Sequence, residues 1–280
     1  MKKQTKNQSF PNTRKKQFFN LLKNKFRLLT SIGSALLISS IPLLVTIFFD
    51  SSFMMSLFSN NEYFEGSSLN EFGNTLLLQN TLLFSSIRII CYVLLFITLG
   101  GALRVVRQLY WSEHVKLIKD LFKGIKNNLK NSIIFGLVFG LSRFIFNLIP
   151  LFNLNPLLSV LIYGVNYALI YPLILIGFVY TTLYNGSFFR TCYHSFLIYI
   201  KKFLWFLPFI IIFIAIPFVS YIPANKFYIE IVLLILMLFL IVPIYLLAYY
   251  GVSLKSFDEL INHTYFKELE NKGLSNDECN

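Results

Sequence analysis

The chain has 280 residues, 56% of them hydrophobic and 14% charged, with a formal net charge of +12. Ordinary soluble domains carry about 25% charged residues, so this composition excludes that class. The apolar residues fall in runs of the ~20 residues that a helix needs to cross ~30 Å of hydrocarbon, and the expected fold is all-α and polytopic.

Residues 1–27 hold nine Lys or Arg and no acid. The run that follows, Leu28–Phe49, is too long for a signal-peptide h-region and leads to no small-x-small cleavage site, so it reads as a retained first span. Five more spans are expected: Ser85–Leu103, Ser132–Phe152, Leu157–Tyr180, Phe203–Tyr221 and Phe227–Tyr249. The chain thus divides into a basic arm at 1–27, a six-helix transmembrane domain at 28–249 and a helix with a tail at 250–280.

The connections alternate in charge. Segments 1–27, 104–131, 181–202 and 250–280 carry nine, seven, three and three basic residues; segments 50–84, 153–156 and 222–226 together carry Lys226 alone, against Asp50, Glu62, Glu65 and Glu71. Basic connections mark the cytoplasmic side. The expectation is a multi-pass plasma-membrane protein with both termini cytoplasmic. Its positive charge then faces the anionic inner leaflet, and no nucleic-acid partner is needed to explain it.

Lys116, Lys119, Lys123, Lys126 and Lys130 share one face of a predicted helix over 115–131, with Ile118, Leu121, Phe122, Ile125 and Leu129 on the other. Such a basic amphipathic helix lies in the headgroup plane or docks a cytoplasmic partner. Residues 187–202 occupy the equivalent place before the fifth span, which suggests a repeat of surface helix and two-span hairpin. In the tail, Phe257, Leu260, Ile261, Tyr265 and Leu269 recur at helical spacing, and Gly273 suits a helix stop. Gly136 and Gly140 form a GxxxG pattern, a close helix contact within or between chains. Prolines 42, 150, 172, 208, 217 and 243 lie inside spans, each able to kink its helix.

Two arginines interrupt spans. Arg88 is near the outer end of the second and can snorkel to the headgroups. Arg143 is residue 12 of the 21-residue third span, near the midplane, where a charge must face protein or a wet cavity. Because "NLNP" joins spans three and four, the two should pack antiparallel, which brings Arg143 level with Asn166. Tyr163, Asn166, Tyr167 and Tyr171 share that face of the fourth span. This intramembrane polar cluster is either structural or a site for an anionic or polyhydroxylated ligand.

No Walker, HExxH or GxSxG motif occurs, and Cys91, Cys192, Cys279 and the three histidines show no ligand or pairing pattern. No enzymatic activity, cofactor or metal is expected. No Asp or Glu is placed deep in a span, which argues against proton- or sodium-driven transport.

The segment 97–133 resembles the YesL-like family of bacterial integral membrane proteins. The resemblance lies in Thr98-Leu99-Gly100-Gly101-Ala102 closing a span, then a short basic linker, then Phe122-Lys123 and the Lys126–Lys130 stretch. Phe257-Asp258 and Lys272-Gly273-Leu274 are compatible with it. The proline that often precedes the Thr-x-Gly element is absent, Phe96 and Ile97 standing there. The resemblance implies an accessory role beside a carbohydrate transport system, and no catalytic residues. A solute transporter or channel built on Arg143 and Asn166 is the alternative.

Overall fold

Helix forms where the apolar runs lie, and at most ends it continues well past them. The computed structural model describes residues 11–65, 68–152, 155–184, 187–215 and 227–274. Helix α1 (Arg14–Asn24) starts at Thr13, whose hydroxyl accepts the Lys16 N–H. Helix α2 (Phe26–Ser59) has 34 residues and α3 (Glu71–Tyr110) has 40, or about 51 and 60 Å at 1.5 Å per residue. The predicted outer connection at 50–84 is therefore mostly helix. Only 60–70 separate the two, with two-residue strands β1 (Phe64–Glu65) and β2 (Ser68–Leu69) paired antiparallel and the Asn70 side chain capping α3 through the Gly73 N–H.

Helix α4 (Leu117–Leu148) is one continuous rod of 32 residues. This corrects the separate helix expected at 115–131: the lysine segment is the first half of the same rod that carries the third apolar run. Its buried stripe is Leu121, Gly124 and Asn128, while Ile118, Phe122 and Leu129 of the expected apolar face are exposed. Small residues made the difference, because they let α3 come close. A Cβ at Gly124 would stand 2.9 Å from the Gly101 Cα, and one at Gly136 only 2.8 Å from the Val93 Cα. Gly136 and Gly140 thus make their contact within the chain, against Val93 and Ile89 of α3.

Helix α5 (Pro156–Val165) begins with a proline at its first position under an Asn155 cap. A wider π segment, Asn166–Ile170, joins it to α6 (Tyr171–Leu183). Helix α7 (Phe188–Lys201) meets α8 (Phe203–Ala215) at 96°. The lysine segment runs straight into its span and this one turns sharply, so the two do not form a structural repeat. Helix α9 (Phe227–Leu236) continues through a second π segment, Met237–Ile241, into α10 (Val242–Phe257). The predicted separate tail helix is a continuation: a third π segment, Asp258–Asn262, then the short α11 (His263–Tyr265). Pro217 and the tail 275–280 lie outside the described residues.

Among the described residues, five continuous helical runs are long and apolar enough to cross a membrane, and a sixth is present if the bent α7–α8 pair counts as one span. The largest fully buried side chains of the core include Tyr110, Phe178, Phe206, Tyr249, Tyr250 and Phe257.

Two prolines follow π segments, and each leaves the carbonyl four residues earlier without its helical N–H. The Ala168 carbonyl, four before Pro172, accepts instead from the Tyr199 hydroxyl of α7. The Phe239 carbonyl, four before Pro243, lies so close to Gly33 of α2 that any Cβ there would collide with it. Both defects therefore sit at helix contacts.

Candidate functional site

Arg143 sits midway along the third apolar run on α4, with the facing residues on α5, the first π segment and α6. The expected register holds to within one residue. The Ser142 hydroxyl donates to Asn166 Oδ1 at 2.9 Å, and an Arg143 guanidinium nitrogen donates to the Tyr167 hydroxyl at 2.9 Å. Tyr92 and Tyr171 also lie near the guanidinium. Tyr163 packs edge-on against Phe146 with centroids 5.0 Å apart, and Tyr167 meets Tyr171 likewise at 5.2 Å. Asn166 does not reach Arg143. It is 1% exposed, opens the π segment and leaves its amide nitrogen without a hydrogen-bond partner. Among the described residues, no carboxylate pairs with Arg143.

Arg88 is paired within the bundle. Its guanidinium meets Asp50 at 2.6 Å, and the other oxygen of Asp50 accepts from the Asn80 amide at 2.7 Å. Both partners keep under 20% of their side-chain surface. Asp50 was expected in a loop; it lies inside α2, because the helix runs on through "SSFMMSLFS". Those nine apolar or small residues with no breaker were the available signal.

The two arginines belong to one place. The Asn147 amide donates to the Ser85 hydroxyl at 3.1 Å, and Gly140 packs on Ile89. This antiparallel register sets Arg88 of α3 level with Arg143 of α4. Both line a cavity of about 750 Å³ together with Asp50, Asn147, Tyr163 and Tyr167. Arg88 and Asp50 cancel, which leaves one formal positive charge in the lining, on Arg143. Most of the remaining surface is apolar.

The basic face of α4 is separate. Lys116, Lys119, Lys123, Lys126 and Lys130 are all exposed. They lie toward the end of the bundle where the N-terminal helix and the C-terminal tail meet. There Arg14 pairs with Asp258 at 2.8 Å with both side chains under 10% exposed, and it also donates to the Lys272 carbonyl at 3.0 Å. The Gln17 amide bridges the Tyr110 carbonyl at 2.6 Å and the Gly273 carbonyl at 2.9 Å. Gly273, at φ +86°, has the Tyr110 carbonyl where a Cβ would go. Sequence reasoning missed this clasp, since Arg14 is one of nine cations in an undifferentiated basic arm. Near it each tryptophan is flanked by two cations. Arg107 and Lys272 lie 4.8 and 3.8 Å from the Trp111 ring, and Lys202 and Lys255 lie 4.5 and 4.1 Å from that of Trp205.

Helix α7 presents Phe189, Tyr193, Phe196 and Ile200 outward and Thr191, Ser195 and Ile198 inward. Among the described residues no three His, Cys, Asp or Glu side chains gather to hold a metal. Comparison with family models, with curated proteins and with solved structures finds no match to this chain.

Proposed function

We propose that this chain is a six-span plasma-membrane protein with cytoplasmic termini that binds an anionic solute at mid-membrane, as a transporter or channel and not an enzyme. The observation that carries the reading is Arg143. It is an arginine midway along the apolar run in the second half of α4, held by the Tyr167 hydroxyl with no carboxylate on it, and it lines a cavity large enough for a small molecule. A guanidinium kept at that depth costs several kcal/mol by even low estimates (~2.5–3.5), and an anionic ligand would offset that cost. The orientation is supported by the lysine face of α4 and by the two tryptophans set among cations at the same end, a composition suited to an anionic headgroup layer. The outward aromatic stripe of α7, turned 96° from α8, suits a helix lying along that layer.

Reconstitution in liposomes tests this. Uptake of small organic anions by the wild type, lost in Arg143→Gln but kept in a variant of the exposed Lys119, is the expected result. Absence of both flux and anion-dependent stabilisation would end the solute reading. Co-purification of a transport ATPase in that case would favour the accessory role that the YesL-like resemblance implies.

A further inference from the structure

The charged and apolar parts of the Arg143 cavity are not mixed. Asp50, Arg88 and Arg143 form its deep end. Met54 and Phe58 lie one and two turns beyond Asp50 on α2, toward the helix hairpin formed by α2 and α3. Leu77 lies three turns from Arg88 in the same direction on α3. Leu151 lies two turns beyond Arg143, and Val160 of α5 about two turns before Tyr167. All these steps lead the same way, so the cavity is net cationic at its floor and mostly apolar along its walls toward the hairpin end, with the uncharged polar residues Thr81, Ser85, Asn147 and Tyr163 between.

We infer that the ligand is an amphipathic monoanion, a carboxylate or phosphate ester on an apolar chain, bound head down against Arg143 with its chain along Met54, Phe58, Leu77, Leu151 and Val160. This rests on the solute-binding reading above and gives its substrate class. The single uncancelled charge of the lining matches one negative charge. Arg143 supplies directed N–H donors suited to a carboxylate or phosphate, and Tyr167, Tyr163 and Asn147 line the cavity beside it. A small hydrophilic anion would leave the apolar walls facing water. A neutral apolar molecule would leave the guanidinium uncompensated. The polarity also runs opposite to that of a lipid seated in the leaflet at the hairpin end, whose headgroup lies outermost and whose chains lie deepest. A free amphiphile entering head first fits; a resident lipid does not.

The test uses the full chain in phosphatidylcholine nanodiscs, with saturable binding measured by calorimetry. The probes are decanoate, acetate (the head alone) and decanol (the chain alone). Each buried methylene should contribute about fourfold in affinity, so decanoate should bind at least a hundredfold tighter than acetate. It should also bind at least tenfold tighter than decanol, with that preference lost in Arg143→Gln and kept in Arg143→Lys. Leu77→Asn, which leaves the floor intact, should weaken decanoate at least fivefold and leave acetate unchanged. Adding phosphatidylglycerol to the discs separates the two sources of such an anion. No competition supports the free amphiphile, whereas competition that Arg143→Gln removes assigns the same chemistry to a lipid and overturns the head-first mode. Equal affinity for acetate and decanoate would overturn the inference and leave the solute reading standing. If decanol matched decanoate, with no anion bound specifically, both would fall.

Discussion

Tyr199 is the clearest place to test how the bundle accommodates its prolines. Its hydroxyl donates to the Ala168 carbonyl, which Pro172 has deprived of its helical partner. Tyr199→Phe removes the donor and nothing else, since the ring stays packed on Phe203 and Phe206. A lost hydrogen bond that leaves a buried acceptor unsatisfied costs about 1–3 kcal/mol in general. Interhelical bonds in membranes measure lower, near ~0.6 and at most ~1.7 kcal/mol. A destabilisation of about 1–1.5 kcal/mol is therefore expected. The reasoning makes a stricter claim through the second half of the cycle. Pro172→Ala restores an N–H that can reach the same carbonyl, so in that background Tyr199→Phe should cost about 0.5 kcal/mol or less. Equilibrium unfolding of the four proteins in mixed micelles gives the coupling directly. If Tyr199→Phe costs the same in both backgrounds to within about 0.3 kcal/mol, the ordinary limit of additivity, then the hydroxyl does not replace the missing amide and the account is wrong.

Three further outcomes are expected. Gly136→Val should destabilise by about 1–3 kcal/mol because its side chain meets the Val93 backbone, whereas Gly164→Ala, with nothing within 4 Å, should be neutral or slightly stabilising in the same unfolding assay. Arg88→Met should lower the melting temperature more than Arg88→Met combined with Asp50→Leu, since the single change strands a carboxylate that keeps only 19% of its surface; an equal or larger loss in the double variant would show that the pair is not an isolated unit. Arg14→Met should cost about 3–5 kcal/mol by leaving Asp258 buried and unpaired, with hydrogen exchange rising first in 258–274.

The apolar runs were legible because hydropathy reports a hydrocarbon-thick layer, and the Arg143 register was legible because a four-residue connection leaves antiparallel helices little freedom. Beyond that layer the sequence carries a weaker signal. Whether a helix stops at Phe49 or continues to Ser59 depends on what lies beside it, here α3 and the Asp50–Arg88 pair. The same limit hid the straightness of α4: its lysines read as a surface helix, but Gly124 and Asn128 fix it along α3. Two adjacent lysines precede the sharp bend at Lys202, and none of the chemistry of "IKKFLW" differs plainly from that of "NLKNSI", which stays straight. Contacts such as Arg14–Asp258 are decided by geometry across 244 residues of separation, and no local pattern announces them.

That separation has a consequence for how the protein is made. Helix α1 is synthesised before all of its partners: its two buried polar side chains, Arg14 and Gln17, find them only at Tyr110, Asp258, Lys272 and Gly273. At ~5–20 residues per second, the interval between the synthesis of Arg14 and that of Asp258 is about 12–50 s. Throughout that time the helix waits with its polar groups in water or at the membrane surface while the spans insert one by one. Closing the clasp must then wait until Gly273 has been made. A fragment stopped before Asp258 keeps α1 undocked and open to proteases, so the loss of a distant segment is felt at Arg14.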